Sequence, residues 1–309
     1  MTGMTVAICT YNGAAQLPGL IAALRRQTCP VPFEILIVDN NSTDNTAEVV
    51  ARLADRPGAP LRRVVETEQG IPFARNRAIE ESLGKPYMAF IDADELPGER
   101  WLNAALTALV DDNAECVGGR IQVQFPANGR PAWLSDELLG FLGEVDNGPE
   151  PLWITDYSTP VWSGNVAYRT AVFSTGLRFD SRYNRRGKGI GGGSDAVMFR
   201  HLVDQQARIR YHPDMKIEHH VDTWKLQRSY FLRLHYLNGR RHGQFVEAPP
   251  GRRLFGIPPY LFMQALHQWG RTLPLFLRNK HNYIRQAMNA THATGVIVGC
   301  YRRSQSGET

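Results

Sequence analysis

Only four cysteines occur in the 309 residues, at positions 9, 29, 116 and 300, and their spacing matches no metal-ligand pattern. They are too few to staple a chain of this length, so a disulfide scaffold is excluded and a reducing, cytoplasmic compartment is expected. Also missing is any uninterrupted apolar run of the roughly 18 residues that a spanning helix requires. The opening "MTGMTVAICTYNG" has neither the basic start nor the long apolar core of a signal peptide, so neither export by that route nor a membrane span is expected. There is no internal repeat and no low-complexity tract. Acid is scarce in one region: from Lys225 onward there are 13 Lys and Arg against two acids, a net charge of +11, which leaves −6 for the rest.

What is present, 43% hydrophobic and 21% charged residues, is the composition of a globular protein with a substantial core. The first hundred residues alternate strand-like runs with helical periods, the pattern of β-α units on a largely parallel sheet. "TVAICT" (5–10) precedes a stretch in which Leu17, Leu20, Ile21 and Leu24 share one helical face. "FEILIVDN" (33–40) precedes "NSTDNTAEVVARLA", with Ser42, Thr43 and Asp44 as capping candidates. "RRVVET" (62–67) precedes a helix opened by Gly70 and Pro72, and "YMAFIDAD" (87–94) closes the series. Every one of these strands ends in polar residues, and in open α/β sheets ligands bind at the carboxyl ends of strands. Beyond residue 96 the pattern turns irregular, with "ECVGGRIQVQF" read as a strand pair, aromatic loops and the Gly-rich "RRGKGIGGGSD".

The densest chemistry lies in "FIDADELP", Phe90–Pro97, where an apolar strand runs into Asp92, Asp94 and Glu95. On a strand, residues two apart share a face, so Asp92 and Asp94 are expected side by side with a cation to balance them. An Asp-x-Asp after a strand suits Mn²⁺ or Mg²⁺, hard ions that take carboxylate and phosphate oxygens. The alternative for the triplet on its own is a solvated acidic turn.

In order, "VAICTYNG", "EILIVDNNSTDNT", "GIPFARNRAI" and "FIDADE" resemble the nucleotide-sugar half of family 2 inverting glycosyltransferases of the GT-A fold. "GNVAYR", "FD", the Gly-rich loop ending in "SD", and "HHV" resemble the acceptor half, so that the resemblance covers residues 4–243. It implies a mostly parallel central sheet flanked by helices over residues 1–224, with a nucleotide-sugar half (1–95) and an acceptor half (96–224), and a basic, mainly helical appendage at 225–309. It implies an enzyme that moves a single sugar from a nucleoside diphosphate, UDP-sugars favoured, to a hydroxyl acceptor. Thr10 and Asp39 would lie against the base, and Arg75 near the base or phosphates, with Asn76 beside it in the first turn of its helix. Asp92 would contact ribose or metal, Asp94 would bind the metal, and His219 would complete the metal shell. Strand alternation sends His219 and His220 to opposite faces. Asp195 would be the general base that takes the acceptor proton. Ser194 stands where the family has Glu. Trp162, Gly164 and Asn165 fall at the sugar or acceptor pocket. Trp153 reads more readily as core, and Trp224 is a further pocket candidate. Glu95 is either a partner of these carboxylates or exposed.

Gly187, Gly189 and Gly192 spell a dinucleotide fingerprint without the strand it needs, and a lid over the donor is the reading kept for that loop. The motif and spanning helices of processive synthases are absent, which favours single addition. The basic tail, with Phe255, Tyr260, Phe262, Trp269 and Phe276, reads either as a segment on an anionic membrane surface, at the inner face of the cell membrane, or as a helical appendage packed on the enzyme. The acidic remainder speaks against nucleic acid as a partner. Two other functions remain: a degenerate transferase kept as a sugar-binding or scaffolding subunit, and a sugar-phosphate nucleotidyltransferase, which lacks its Gly-rich loop here.

Overall fold

Alternation of strand and helix carries the chain through β1 (Met4–Thr10), α1 (Leu17–Arg25), β2 (Phe33–Asp39), α2 (Thr46–Ala54), β3 (Leu61–Val65), α3 (Ile71–Ser82) and β4 (Tyr87–Ile91). There follow β5 (Glu95–Pro97), α4 (Trp101–Leu106), β6 (Cys116–Gln124), β7 (Leu152–Ile154), β8 (Asn165–Arg169), α5 (Ser194–Asp204) and β9 (Ile209–His220). Three helices end the chain: α6 (Arg228–Phe245), α7 (Pro259–Leu277) and α8 (Tyr283–Ser306). The computed structural model describes residues 3–184, 190, 192–245, 251–278 and 283–306. Most of the expected lid, including Gly187 and Gly189, lies outside them.

The chain divides into two units. A sheet unit comprises the residues up to Gln124 and Gly143–His220, and a helical unit comprises Phe125–Leu142 and the residues from Val221 on. The sequence suggested a single cut after Trp224. Residues 125–142 instead join the helices because their aromatics pack there: Trp133 meets Phe231 edge-on at 5.4 Å, and Phe141 meets His235 at 4.6 Å.

In the sheet unit the strand order is β3-β2-β1-β4-β8-β6-β9-β5, with β7 also paired to β9. β1–β4 are parallel, and β8 runs against both β4 and β6, so β6 and its parallel neighbour β9 share the direction of β4. Six strands therefore point their carboxyl ends to one edge. Every residue of β1 is buried, because alternate side chains serve opposite layers. Met4, Val6 and Ile8 join the core under α1, α2 and α4, while Ala7 and Cys9 join the core under α3 and α5. The four apolar positions of α1 are all buried.

Several local expectations shift. β4 ends at Ile91, so Asp92 and Asp94 sit on a turn and not on a strand. The chain turns there because the Glu95 carboxylate reaches back to accept from the Asp92 amide at 2.8 Å. "ECVGGRIQVQF" is one strand, β6, kinked between Gly119 and Ile121, and not a pair. The N-cap of α2 is Asn45, outside the three candidates, and it makes no side-chain cap bond; Asp44, one residue earlier, accepts from the Thr46 amide at 3.0 Å.

The helical unit is built on an exceptionally close contact between α6 and α8. A Cβ added at Gly239 or Gly243 would lie 2.1 Å from the carbonyl oxygens of His292 and Val296, and one at Gly295 or Gly299 would lie 2.2 or 2.0 Å from those of Tyr236 and Arg240. The rising register shows that the two helices run the same way, with only glycine small enough at the seam. The proline-rich stretch before α7 does not break it: Pro258 and Pro259 open the helix, which continues through Pro274.

Candidate active site

At the carboxyl edge, the loops after β1 and β2 are zipped together before any ligand arrives. Asn12 takes a left-handed backbone conformation and its side-chain oxygen accepts from the Thr43 amide at 2.8 Å, while its own amide donates to Ser42 Oγ at 2.9 Å. Thr10, buried at the end of β1, lies beside Asp39 at the end of β2. Asp39 is also buried and accepts from the Ser42 amide at 2.9 Å. Its other oxygen takes two bonds from Arg63, at 2.9 and 2.6 Å. Arg63 escaped notice in the sequence, although arginines within an otherwise apolar β3 demand partners. Arg62 finds Glu34 and Glu81, and Arg63 finds Asp39.

The centre of the site is Arg75. It lies in the second turn of α3, not the first, because the helix begins at Ile71. There it is buried, with its ring-facing side 5.5 Å from the Phe179 centroid. Nη1 donates to Asp195 Oδ1, and Nη2 lies 3.4 Å from Asp92 Oδ1. One guanidinium thus links the expected donor carboxylate to the expected base, residues 103 positions apart in sequence. Burial works against the charge of Arg75, and Asp195 and Asp92 more than offset it. Cys9, near enough to feel both charges, is pushed up to about 12, chiefly by burial, and stays a thiol. Asn76 does not face this cluster with a free amide: it donates to the Phe179 carbonyl at 2.9 Å and accepts from the Phe179 amide at 2.7 Å, and so holds the ring that seats Arg75.

Asp195 lies in the first turn of α5, where the helix dipole favours an anion. Ser194 is fully buried, and its hydroxyl donates to Asp195 Oδ1 at 3.3 Å. Both bonds fall on Oδ1, which leaves Oδ2 as the oxygen turned to other business.

Glu95 proves to be a buried partner and not an exposed acid; burial, with Asp92 and Asp94 nearby, holds its carboxyl well above the usual range. Gly164 faces it so closely that a Cβ would stand 2.6 Å from Glu95 Oε1 and 3.1 Å from Asp92 Oδ2. β5 pairs Glu95 with His219. His219 Nε2 lies 3.6 Å from Asp94 Oδ2, while His220 is exposed. No three such groups form a closed metal cage among the described residues. The donor set of a half-exposed carboxylate facing an imidazole fits a divalent ion that draws its other ligands from a diphosphate.

Of two expected pocket residues, Asn165 spends its amide on the scaffold and Trp162 keeps part of its surface exposed. Asn165 is buried, accepts from Trp101 Nε1 at 2.7 Å and donates to the carbonyls of Arg120 and Met215. Trp162 packs partly buried against the core, and its carbonyl accepts from the Asn165 amide. Trp153 is exposed and not core, with the guanidinium groups of Arg208 and Arg210 at 5.1 and 4.7 Å from its ring centroid. Trp224 belongs to the helical unit.

Comparison with known proteins bears on the family and the fold. The glycosyltransferase AglE of Haloferax volcanii is 34% identical over 131 residues, 42% of either chain, so the present chain matches less than half the length of that relative. Among solved structures, S. aureus TarS 1–349 in complex with UDP superposes over 100% of this chain and 92% of its own with a TM-score of 0.54 at 17% identity. The mannosyltransferase PcManGT from Pyrobaculum calidifontis, in complex with GDP-Man and Mn²⁺, covers 99% and 88% with a TM-score of 0.60 at 16% identity. At such identities the likeness shows the fold, which is GT-A. The sequence model described as glycosyl transferase family 2 matches residues 5–179, from the first strand to the Phe179 that seats Arg75, and with more than half of its residues so matched the chain belongs to glycosyl transferase family 2.

Proposed function

We propose that the chain is an inverting glycosyltransferase that moves one sugar from a nucleoside-diphosphate donor to an acceptor hydroxyl with the help of Mn²⁺ or Mg²⁺. The observation that carries this reading is the Arg75 bridge, which ties Asp195 to Asp92 at the edge where Thr10 and Asp39 end their strands. Asp39, held by Arg63 and Ser42, presents a fixed carboxylate to a ring N–H of the base, and the UDP complex of TarS makes a UDP-sugar the first donor to test. Asp94 and His219 are the residues to hold the divalent ion, as the Mn²⁺ complex of PcManGT suggests. Bound there, the ion would offset the charge of the departing diphosphate.

Inversion follows from a base that faces the anomeric carbon opposite the leaving group. Asp195 Oδ2 takes the acceptor proton, while Arg75 and Ser194 fix the carboxylate through Oδ1. Asn76 and Phe179 keep Arg75 in place, and Gly164 leaves Glu95 room beneath Asp92. Trp162 lines the acceptor side in this reading. The acceptor hydroxyl in this reading belongs to a glycan, a lipid-linked glycan or a small molecule.

The test is the melting temperature with UDP, GDP, dTDP and CDP, each with Mn²⁺, Mg²⁺ or chelator. A ligand at 100 times its dissociation constant stabilises by about 2.7 kcal/mol. The expected result is a shift with one nucleotide that disappears with chelator; no shift with any of them overturns the reading. The anomeric configuration of the product, read by NMR, then tests inversion.

A further inference from the structure

α7 is unusual in having three faces where an amphipathic helix has two. Leu261, Ala265, Gln268 and Thr272, spaced by three and four, form the stripe turned to α8. Leu261 clusters with Val296 and Cys300, and Gln286 donates to Gln268 Oε1 at 2.7 Å. Gln264, His267 and Arg271 form a polar stripe. Between the two runs a third stripe, Phe262, Met263, Leu266, Trp269, Leu273 and Leu277, which is apolar throughout and exposed, with 66% of Met263, 67% of Leu266 and 73% of Leu277 accessible. Trp269 borders the packed stripe and donates to Thr294 Oγ1 at 3.0 Å, which fixes its ring.

We propose that this stripe lies in the headgroup layer of an anionic lipid bilayer, with α7 parallel to the surface. Two observations select that occupant. First, α6, α7 and α8 contain eight arginines and no Asp or Glu, so the unit that carries the stripe has a positive field that anionic headgroups complement. A second copy of the chain would bring the same positive charge to the contact. Second, aromatic and aliphatic side chains next to a polar stripe with Arg271 match a helix that rests at an interface, with amphipathic rings such as Trp269 at headgroup depth. The sequence already offered a membrane surface as one reading of the basic tail. The structure assigns that contact to one stripe of one helix and excludes the stripe that packs on α8.

Co-sedimentation of the full chain with vesicles tests this without any nucleotide sugar, so its failure leaves the transferase reading untouched. The chain is expected to sediment with vesicles of phosphatidylcholine and phosphatidylglycerol, less so at high salt, and not with phosphatidylcholine alone. A charge on the apolar stripe, Leu266→Glu with Leu273→Glu, is expected to weaken binding by about tenfold or more, since each removes an apolar side chain from the interface. Gln264→Glu adds charge on the polar stripe and is expected to keep most of the binding. Should the double variant fold poorly, the wild type still decides: brominated lipids are expected to quench its tryptophan fluorescence, and Trp269→Phe to remove most of that quenching. The proposal fails if the wild type ignores anionic vesicles, if the double variant binds as tightly as wild type, if Trp269→Phe leaves quenching unchanged, or if sedimentation velocity shows a dimer without lipid that Leu266→Glu dissociates.

Discussion

The sheet unit and the helical unit solve close packing in opposite ways. In the sheet unit, charge does the binding: Arg75 joins Asp195 and Asp92, Arg63 holds Asp39, and Arg62 spans Glu34 and Glu81. In the helical unit, α6 and α8 have no acid to offer their arginines, and the seam is made of four glycines that bring backbone against backbone. A charge network fixes the direction of its side chains, as Arg75 and Ser194 fix Asp195 through Oδ1. A glycine seam holds shape by close backbone approach, without a charge pair across it. The difference separates a unit arranged for chemistry from one arranged to present a surface.

The strongest way to break this comparison is to remove one charge from the sheet unit without changing its shape. Asp195→Asn is expected to lower transfer by about 10²–10⁴-fold, the range of general-base catalysis. Nucleotide-induced stabilisation should persist, since Asp195 does not touch the donor in this scheme. Unchanged turnover would remove Asp195 from the role of base. Arg75→Lys sharpens the result: an ammonium cannot hold two carboxylates in the planar fork that Arg75 provides, so activity should fall although charge is kept.

How far the sequence anticipated this site depends on the range over which each signal acts. Strand ends were legible because a continuous apolar run stops where Thr10 and Asp39 begin the polar loops, and such a run needs only local sequence. The turn at Asp92 was not, because it rests on the Glu95 side chain bonding to the Asp92 amide, and a carboxylate looks the same in sequence whether it points out or folds back. Asn76 and Asn165 were assigned to ligands, yet their amides meet backbone groups 103 and 45 to 50 residues away. Such a pairing has no local signature. The Gly239–Gly243 and Gly295–Gly299 spacings were visible, but four-residue glycine spacing acquires meaning only when a second helix lies opposite.

That seam offers the next test. Gly243→Ala or Gly295→Ala puts a Cβ into the opposite backbone, and overpacking of this kind costs about 1–3 kcal/mol. Gly270→Ala in α7 is the control, since no atom lies within 4 Å of its added Cβ. There the better helix former is expected to stabilise by about 0.5–1 kcal/mol. Calorimetry reads both, and equal effects at the two places would mean that the seam is looser than its geometry states.

The smallest expected effect concerns acid, and it orders the two units. Burial holds His235 below its ordinary 6.5, against the pull of the Phe231 carbonyl, with His292 and Arg285 adding to it; burial and the neighbouring His242 do the same for His292. A histidine lowered on folding contributes stability while neutral and loses that contribution as pH falls below its unfolded value. In the sheet unit, Glu81 is lowered by Arg62 and Arg77, and Glu34 by Arg62 and Lys85 in spite of burial, from an ordinary 4.5. Their contribution is likewise lost on acidification, but only once the pH passes below the glutamate range. The sheet unit carries one such histidine, His212 in β9, also lowered by burial, so the helical unit with its pair should loosen more between about pH 7 and 5, where histidines titrate. Limited proteolysis with mapped cleavage sites checks the order. His235→Gln with His292→Gln should delay cleavage in α6 and α8 on acidification and leave β1–β4 as they were, and cleavage that begins in the sheet unit would reverse the assignment of acid sensitivity.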